Sequence, residues 1–245
     1  MALRVAIVSG HGGAGAAIRY GDAPMDPDEH SRLLAAESRA DDDPTGWFER
    51  LYAAAERGEA VVPWNRGAPN PLLVQWAEAR AIEGAGRRAL VVGFGLGDDA
   101  EYVAARGFET VAFDVAATAA RIARRRFPDS HVRYVTADLL DPPREWRAAF
   151  DLVVESITVQ SLPPELHAGA SARVAEMVAP GGTLLVISGG RDERDGPVDG
   201  PPWPLTRAEI EAFADGGLRR VRIEDIRDAA DPAFRRWRAE LHRPA

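Results

Sequence analysis

Few folds accommodate the stretch Ala89-Leu-Val-Val-Gly-Phe-Gly-Leu-Gly-Asp-Asp-Ala-Glu-Tyr-Val followed by Thr110-Val-Ala-Phe-Asp114. The apolar run reads as a strand buried on both faces. It breaks into glycines at alternate positions, Gly93, Gly95 and Gly97, and a helix begins at Asp98 or Asp99. A second short strand ends on a carboxylate, Asp114. This is the pattern of a first βαβ unit: bare backbone lets a ligand approach, and the acid accepts from a pair of ribose hydroxyls. It places the functional end of the molecule at the carboxyl ends of the strands.

The alternation continues. Strands are predicted at 88–93, 110–114, 132–135, 150–155 and 182–188, and helices at 98–106, 117–126, 164–178 and 206–214. Repeated strand and helix mean a parallel sheet with right-handed crossovers. The tail departs from this: Leu218, Val221, Ile223 and Ile226 lie in one strand-like run and Phe234 to His242 in another. A short connection between adjacent strands makes an antiparallel hairpin. Five parallel strands closed by such a pair differ from the six parallel strands of a dinucleotide dehydrogenase.

Ahead of the core, helices are predicted from Pro27 to Arg39, Trp47 to Arg57 and Pro71 to Ala81, with a proline-punctuated loop around Trp64. The expected organisation is an N-terminal extension over 1–40, partly mobile, and a single domain over 41–245. The domain divides into cap helices at 41–85 and a core at 86–245. The glycine-dense Gly10-His-Gly-Gly-Ala-Gly lacks the Gly-Lys-Ser/Thr of a phosphate loop, and Met25 is an alternative start.

A chain of 245 residues with 46% apolar residues buries a full core. Its net charge of −8 disfavours nucleic acid as a partner. The absence of cysteine removes disulfides, thiolate catalysis and cysteine-based metal sites, and no metal is expected. No run is long and apolar enough for a membrane span or a signal peptide, so a cytoplasmic protein, monomer or homodimer, is expected. All 30 basic residues are arginine, which suggests a GC-rich genome rather than a function.

Where the dinucleotide fingerprint has Gly or Ala, position 98 is Asp. A carboxylate at a helix start repels a pyrophosphate and attracts an ammonium, which favours a cofactor with an amino-acid end. Asp114 also has the reading of an N-cap for the helix near Ala116. Asp138 follows the third strand and can accept from an adenine amino group with Leu139 against the ring, or serve as a turn aspartate. Asp151 is read as ordering backbone away from the chemistry. Glu155 and Ser156 end the fourth strand and are candidate site-lining residues. His167 is read as a helix-surface residue. The long loop from Gly189 to Pro204 is expected to cover a substrate, with Trp203 as an apolar wall.

Taken together, Trp47, Pro63-Trp64-x-x-Gly67, Pro71-Leu, Leu90-Val-Val-Gly-Phe-Gly-Leu-Gly-Asp-Asp, Phe113-Asp114-Val, Asp138-Leu-Leu, Phe150-Asp-Leu-Val, Ala179-Pro-Gly-Gly and Pro201-Pro-Trp-Pro-Leu resemble the class I S-adenosylmethionine-dependent methyltransferases. More narrowly they are similar to the thiopurine and halide/thiol methyltransferase group, over roughly 45–243. The resemblance implies an α/β fold with a seven-stranded Rossmann-like sheet, five parallel strands and a C-terminal antiparallel hairpin. It implies that Gly93, Phe94, Gly95 and Gly97 hold the methionine part of the cofactor, Asp114 and Val115 the ribose, and Asp138 and Leu139 the adenine. Trp47 and Trp64 would close over the sulfonium, as an aromatic face suits a desolvated cation. The group often carries a further tryptophan where Leu51 and Tyr52 stand, and a larger tyrosine or arginine at Ser156.

The reading is methyl transfer from S-adenosylmethionine to a small-molecule nucleophile, with Glu155, Ser156 and Trp203 as positioning candidates and no catalytic base identified. A small-molecule acceptor is the expected partner, with no nucleic acid and no membrane. The alternatives are a non-catalytic S-adenosylmethionine- or nucleotide-binding protein and, third, a nicotinamide oxidoreductase.

Overall fold

The computed structural model describes residues 25–196, 198–228, 231 and 234–245. The glycine-dense segment and the rest of the expected extension up to residue 24 lie outside the described residues. Three helices come first: α1 (Pro27–Ala40), α2 (Gly46–Glu56) and α3 (Pro71–Ala79). Each start has a local cause. Asp26 accepts from the Asp28 and Glu29 amides, and Asn70 accepts from the Leu72 amide, with Pro27 and Pro71 just inside the helix. α1 packs on α2 through Ala35, Trp47 and Leu51.

The core alternates β1 (Arg88–Val92), α4 (Asp98–Ala105), β2 (Glu109–Asp114), α5 (Ala117–Arg126), β3 (Arg133–Thr136), β4 (Phe150–Ser156), α6 (Pro164–Glu176), β5 (Val178–Gly189) and α7 (Arg207–Ala212). It closes with β6 (Arg219–Arg227) and β7 (Arg235–His242). The strand order is β3-β2-β1-β4-β5-β7-β6. The first five strands are parallel, while β7 runs antiparallel to both β5 and β6. This is the seven-stranded Rossmann-like sheet that the pattern predicts. The hairpin folds back so that β7 is internal and β6 takes the edge, which leaves Arg219, Arg220 and Arg222 in solvent.

Strand alternation sends Ala89 and Val91 to one apolar layer and Leu90 and Val92 to the other. Ala179-Pro-Gly-Gly, read as a turn, lies inside β5: the register against β4 jumps from Phe150↔Val178 to Leu152↔Thr183, so the turn is an excursion within the strand. Asp151 does order backbone, accepting from the Arg88 amide at 2.8 Å. The order in which strands are added reverses between the parallel neighbours β1 and β4, and an open α/β sheet binds ligands in the crevice at that switch.

The candidate active site

A cleft opens at the switch, over the carboxyl ends of β1, β2 and β4. The turn from β1 to α4 forms its floor. Gly95 adopts φ +60°, and a side chain there would press on the Trp64 indole and the Tyr52 hydroxyl, 3.2 and 3.3 Å from its Cβ. The Gly95 amide donates to the Asp114 carboxylate at 3.1 Å, and the Ala116 amide donates to its other oxygen at 3.0 Å. Burial pushes the Asp114 carboxyl up to about 6, against those amide bonds and with the Glu49 charge adding to the rise. Asp114 does not cap α5; Glu49 of α2 does, accepting from both the amide and the hydroxyl of Thr118.

Trp64, Gly93, Phe94, Gly95, Asp114, Val115, Asp138, Leu139 and Ser156 all line this cleft. Asp138 is exposed, and one of its oxygens accepts from the Leu140 amide at 2.8 Å, so it also makes the turn expected of it. The Trp64 indole N–H donates to the Tyr52 hydroxyl at 2.9 Å, and Phe48 completes an aromatic roof.

Four sequence candidates sit elsewhere. Trp47 is 1% exposed and stacks on Phe48, facing α1 rather than the cleft. Residues four apart share a helix face, so Trp47 pairs with Leu51 while Phe48 pairs with Tyr52. Gly97 faces Tyr134 and Phe127, whose atoms lie 2.7 and 3.0 Å from where its Cβ would be. Glu155 is wholly buried on the opposite face of β4 from Ser156. One Glu155 oxygen accepts from the Thr158 and Val159 amides at 2.8 and 2.9 Å; the other has no hydrogen-bond partner among the described residues. Trp203 packs against α1, with the Arg39 guanidinium 5.8 Å over its ring. The Gly189–Pro204 loop thus leans on α1 through Trp203, which does not line the cleft.

Asn70, Asp99 and Ile157 carry no role read from the sequence. Asp98, the supposed ammonium site, is paired with Arg126 through two 3.0 Å contacts. Its neighbour Asp99 also lines the cleft and accepts from the Asn70 amide at 2.6 Å. Burial raises the Asp99 carboxyl, while the Asn70 and Ser156 bonds and the Arg66 charge oppose the rise. Asn70 also donates to the Ser156 hydroxyl at 3.1 Å. Ile157 follows with φ +68°, a rare conformation for a β-branched residue, and lines the cleft. Gly93 is glycine for packing: a Cβ there would collide with Thr158 Oγ1, and that hydroxyl donates to the Val92 carbonyl at 2.9 Å. His167 is buried and bonded, with Nδ1 2.8 Å from Glu209 and Nε2 2.8 Å from the Leu162 carbonyl, so the surface reading is corrected.

Residues 89–182, from β1 into β5, match the family model described as methyltransferase domain. The chain carries a methyltransferase domain. Across a longer span it is 26% identical over 207 residues to "Probable thiol methyltransferase 2" of Arabidopsis thaliana, covering 83% of this chain and 87% of that one. A thiopurine S-methyltransferase of Vibrio cholerae is 33% identical over 87 residues, 35% of this chain and 38% of the relative. Among solved structures, the N-methyltransferase NodS of Bradyrhizobium japonicum in complex with S-adenosylhomocysteine superposes with a TM-score of 0.62 at 21% identity, covering 82% of this chain and 98% of that one. The chain is thus similar to S-adenosylmethionine-dependent methyltransferases and shares their class I fold.

The residues present fit that cofactor. The methyltransferase offers a main-chain floor at Gly95, where a Cβ would crowd Trp64 and Tyr52. Beside it stands a buried Asp114 carboxylate held by amides alone, with lone pairs left for hydroxyl donors. Among the described residues, no helix is long and apolar enough to cross a membrane.

Proposed function

We propose that this methyltransferase acts on a small-molecule nucleophile, with a thiol as the leading class. The observation that carries the reading is the shape of the cleft. It runs from Asp114, Asp138 and Leu139 at one end to Asp99, Asn70 and Ser156 at the other, beneath Phe48, Tyr52 and Trp64. Such a roofed cleft suits a compact acceptor better than a polymer strand. The relative named as a probable thiol methyltransferase spans most of the chain and supports the thiol class.

When bound, S-adenosylmethionine supplies a methyl group already activated by a positively charged sulfur. Every other task falls to the chain. Asp114 accepts from the ribose hydroxyls, and Asp138 and Leu139 take the adenine edge and face. Asp99 receives the ammonium of the methionine end, because Arg126 already neutralises Asp98. The aromatic roof of Phe48, Tyr52 and Trp64 stabilises the desolvated cation. Asn70 and Ser156 mark where the acceptor enters. A thiol needs alignment and exclusion of water more than a strong base.

The experiment is a panel of thiols, halides and heteroaromatic amines with a methyl-labelled donor. Label is expected in at least one thiol. Cofactor binding without transfer to any member would favour the non-catalytic binding protein. A thermal shift with NAD but none with S-adenosylmethionine would favour the oxidoreductase.

A further inference from the structure

Beside the cofactor cleft lies a second, open cavity, and the two share Arg66 and Asn70. Leu72, Ile187 and Phe234 give it apolar walls, and three arginines, Arg66, Arg227 and Arg236, line it. Arg66 is exposed and Arg236 half-buried. Neither makes an ion pair among the described residues, whereas most arginines around them do: Arg227 pairs with Asp225, Arg235 with Asp192 and Asp225, and Arg238 with Glu224.

Arg236 is nonetheless fixed. It donates to the Arg235 carbonyl at 2.9 Å and lies 4.4 Å over the Phe234 ring. Burial, and after it the charge of Arg66, hold its guanidinium below the ordinary value, with Asp231 opposing. Asp228 brings one carboxylate to the same wall, and Asp99 faces Arg66 from the cofactor side. The cavity is therefore positive in a chain whose net charge is −8. Two unpaired guanidiniums that raise each other's free energy are stabilised by one anion shared between them.

We propose that this cavity is the acceptor subsite and that it selects a small acceptor carrying a carboxylate, which Arg66 and Arg236 hold while the nucleophilic atom reaches past Asn70 and Ser156. The inference rests on the methyl-transfer reading above. A lone pair of the acceptor forms the new bond to the methyl carbon, the bond from carbon to sulfur breaks with its electrons kept by sulfur, and a thiol's proton leaves to water.

Binding is measured by calorimetry on the full chain loaded with S-adenosylhomocysteine. The probes are 3-(methylthio)propionate and its neutral isostere 3-(methylthio)propionamide. The acid is expected to bind about tenfold tighter or better, as for a charge-assisted hydrogen bond, with the preference weakening as salt rises. Arg66→Met and Arg236→Met are each expected to remove most of that preference. Arg220→Met, at the opposite end of β6, is expected to keep it. Equal or undetectable binding of acid and amide overturns the subsite, as does a preference that survives both arginine variants. Methyl transfer is then assayed on 3-mercaptopropionate and 3-mercaptopropionamide. Transfer to both with equal KM overturns the subsite and leaves the methyl-transfer reading intact. Preferential binding of the acid with no transfer to any acceptor overturns that reading and keeps the anion site.

Discussion

Gly95 donates its backbone N–H to the Asp114 carboxylate across 3.1 Å, which ties the turn after β1 to the tip of β2. The two halves of the proposed adenosyl site therefore hold each other in place before any ligand arrives. Preorganisation of this kind lowers the ordering cost of binding.

Titration of Asp114 should be visible in cofactor binding. Its carboxyl stands at about 6 against an ordinary 3.8, because burial disfavours the charged form. Hydroxyl donors favour the charged form, so affinity is expected to rise with pH through 6. Calorimetry with S-adenosylhomocysteine at pH 5 and pH 7 should show about tenfold weaker binding at the lower value. A flat profile would exclude Asp114 as the ribose acceptor.

Glu155 makes an opposite kind of demand, on stability. Burial pushes its carboxyl up to about 7 from an ordinary 4.5, and one oxygen has no hydrogen-bond partner among the described residues. A group raised on folding contributes stability below its unfolded value and loses it as pH climbs through the folded one. The wild type should therefore lose stability between about pH 4.5 and 7. Glu155→Gln keeps an oxygen for the Thr158 and Val159 amides and carries no charge. Urea denaturation at pH 8 is expected to find this variant more stable, on the order of 1–3 kcal/mol, with a flatter pH profile.

Two glycines of one turn should respond differently. Gly93→Ala drives a Cβ into Thr158 at positive φ and is expected to cost about 2–4 kcal/mol from strain and overpacking together. Gly95→Ala meets only the tips of Trp64 and Tyr52 and is expected to cost about 1–2 kcal/mol in stability. Its larger effect should be on cofactor affinity. Equal stability losses and equal affinity losses for the two variants would undo the distinction.

Most of the sheet was legible because five apolar runs alternate with helical patterns and end on turn residues. The cleft lining was legible where backbone chemistry decides, at Gly95 and Asp114. It was obscure where a face had to be chosen. Phe48 and Trp47 are adjacent, and only the docking of α1 against Trp47 and Leu51 turns Phe48 and Tyr52 to the cleft. Glu155 and Ser156 pose the same problem on a strand, where neighbours point oppositely. Asp98 lost its role to a partner 28 residues away, Arg126, which no local pattern announces. Trp203 was assigned to the cleft because its loop leaves the functional edge, and nothing in its own sequence shows that α1 receives it.

The bond network from Glu49 to Thr118 also has a measurable weight. α5 has no capping side chain at Ala116, so Glu49 supplies its only carboxylate cap from α2. Glu49→Ala is expected to lower stability by about 1–2 kcal/mol, as for other lost caps. A double-mutant cycle with Thr118→Ala should show strong non-additivity, since the two side chains share the interaction.

Calorimetric titration of S-adenosylhomocysteine into the wild type and into Asp114→Ala addresses the adenosyl site directly. One molecule should bind per chain, and the variant should bind more weakly by about 1–3 kcal/mol, roughly ten- to a hundredfold. Undetectable binding to the wild type, or equal affinity in the two proteins, would show that this cleft does not grip the cofactor through Asp114.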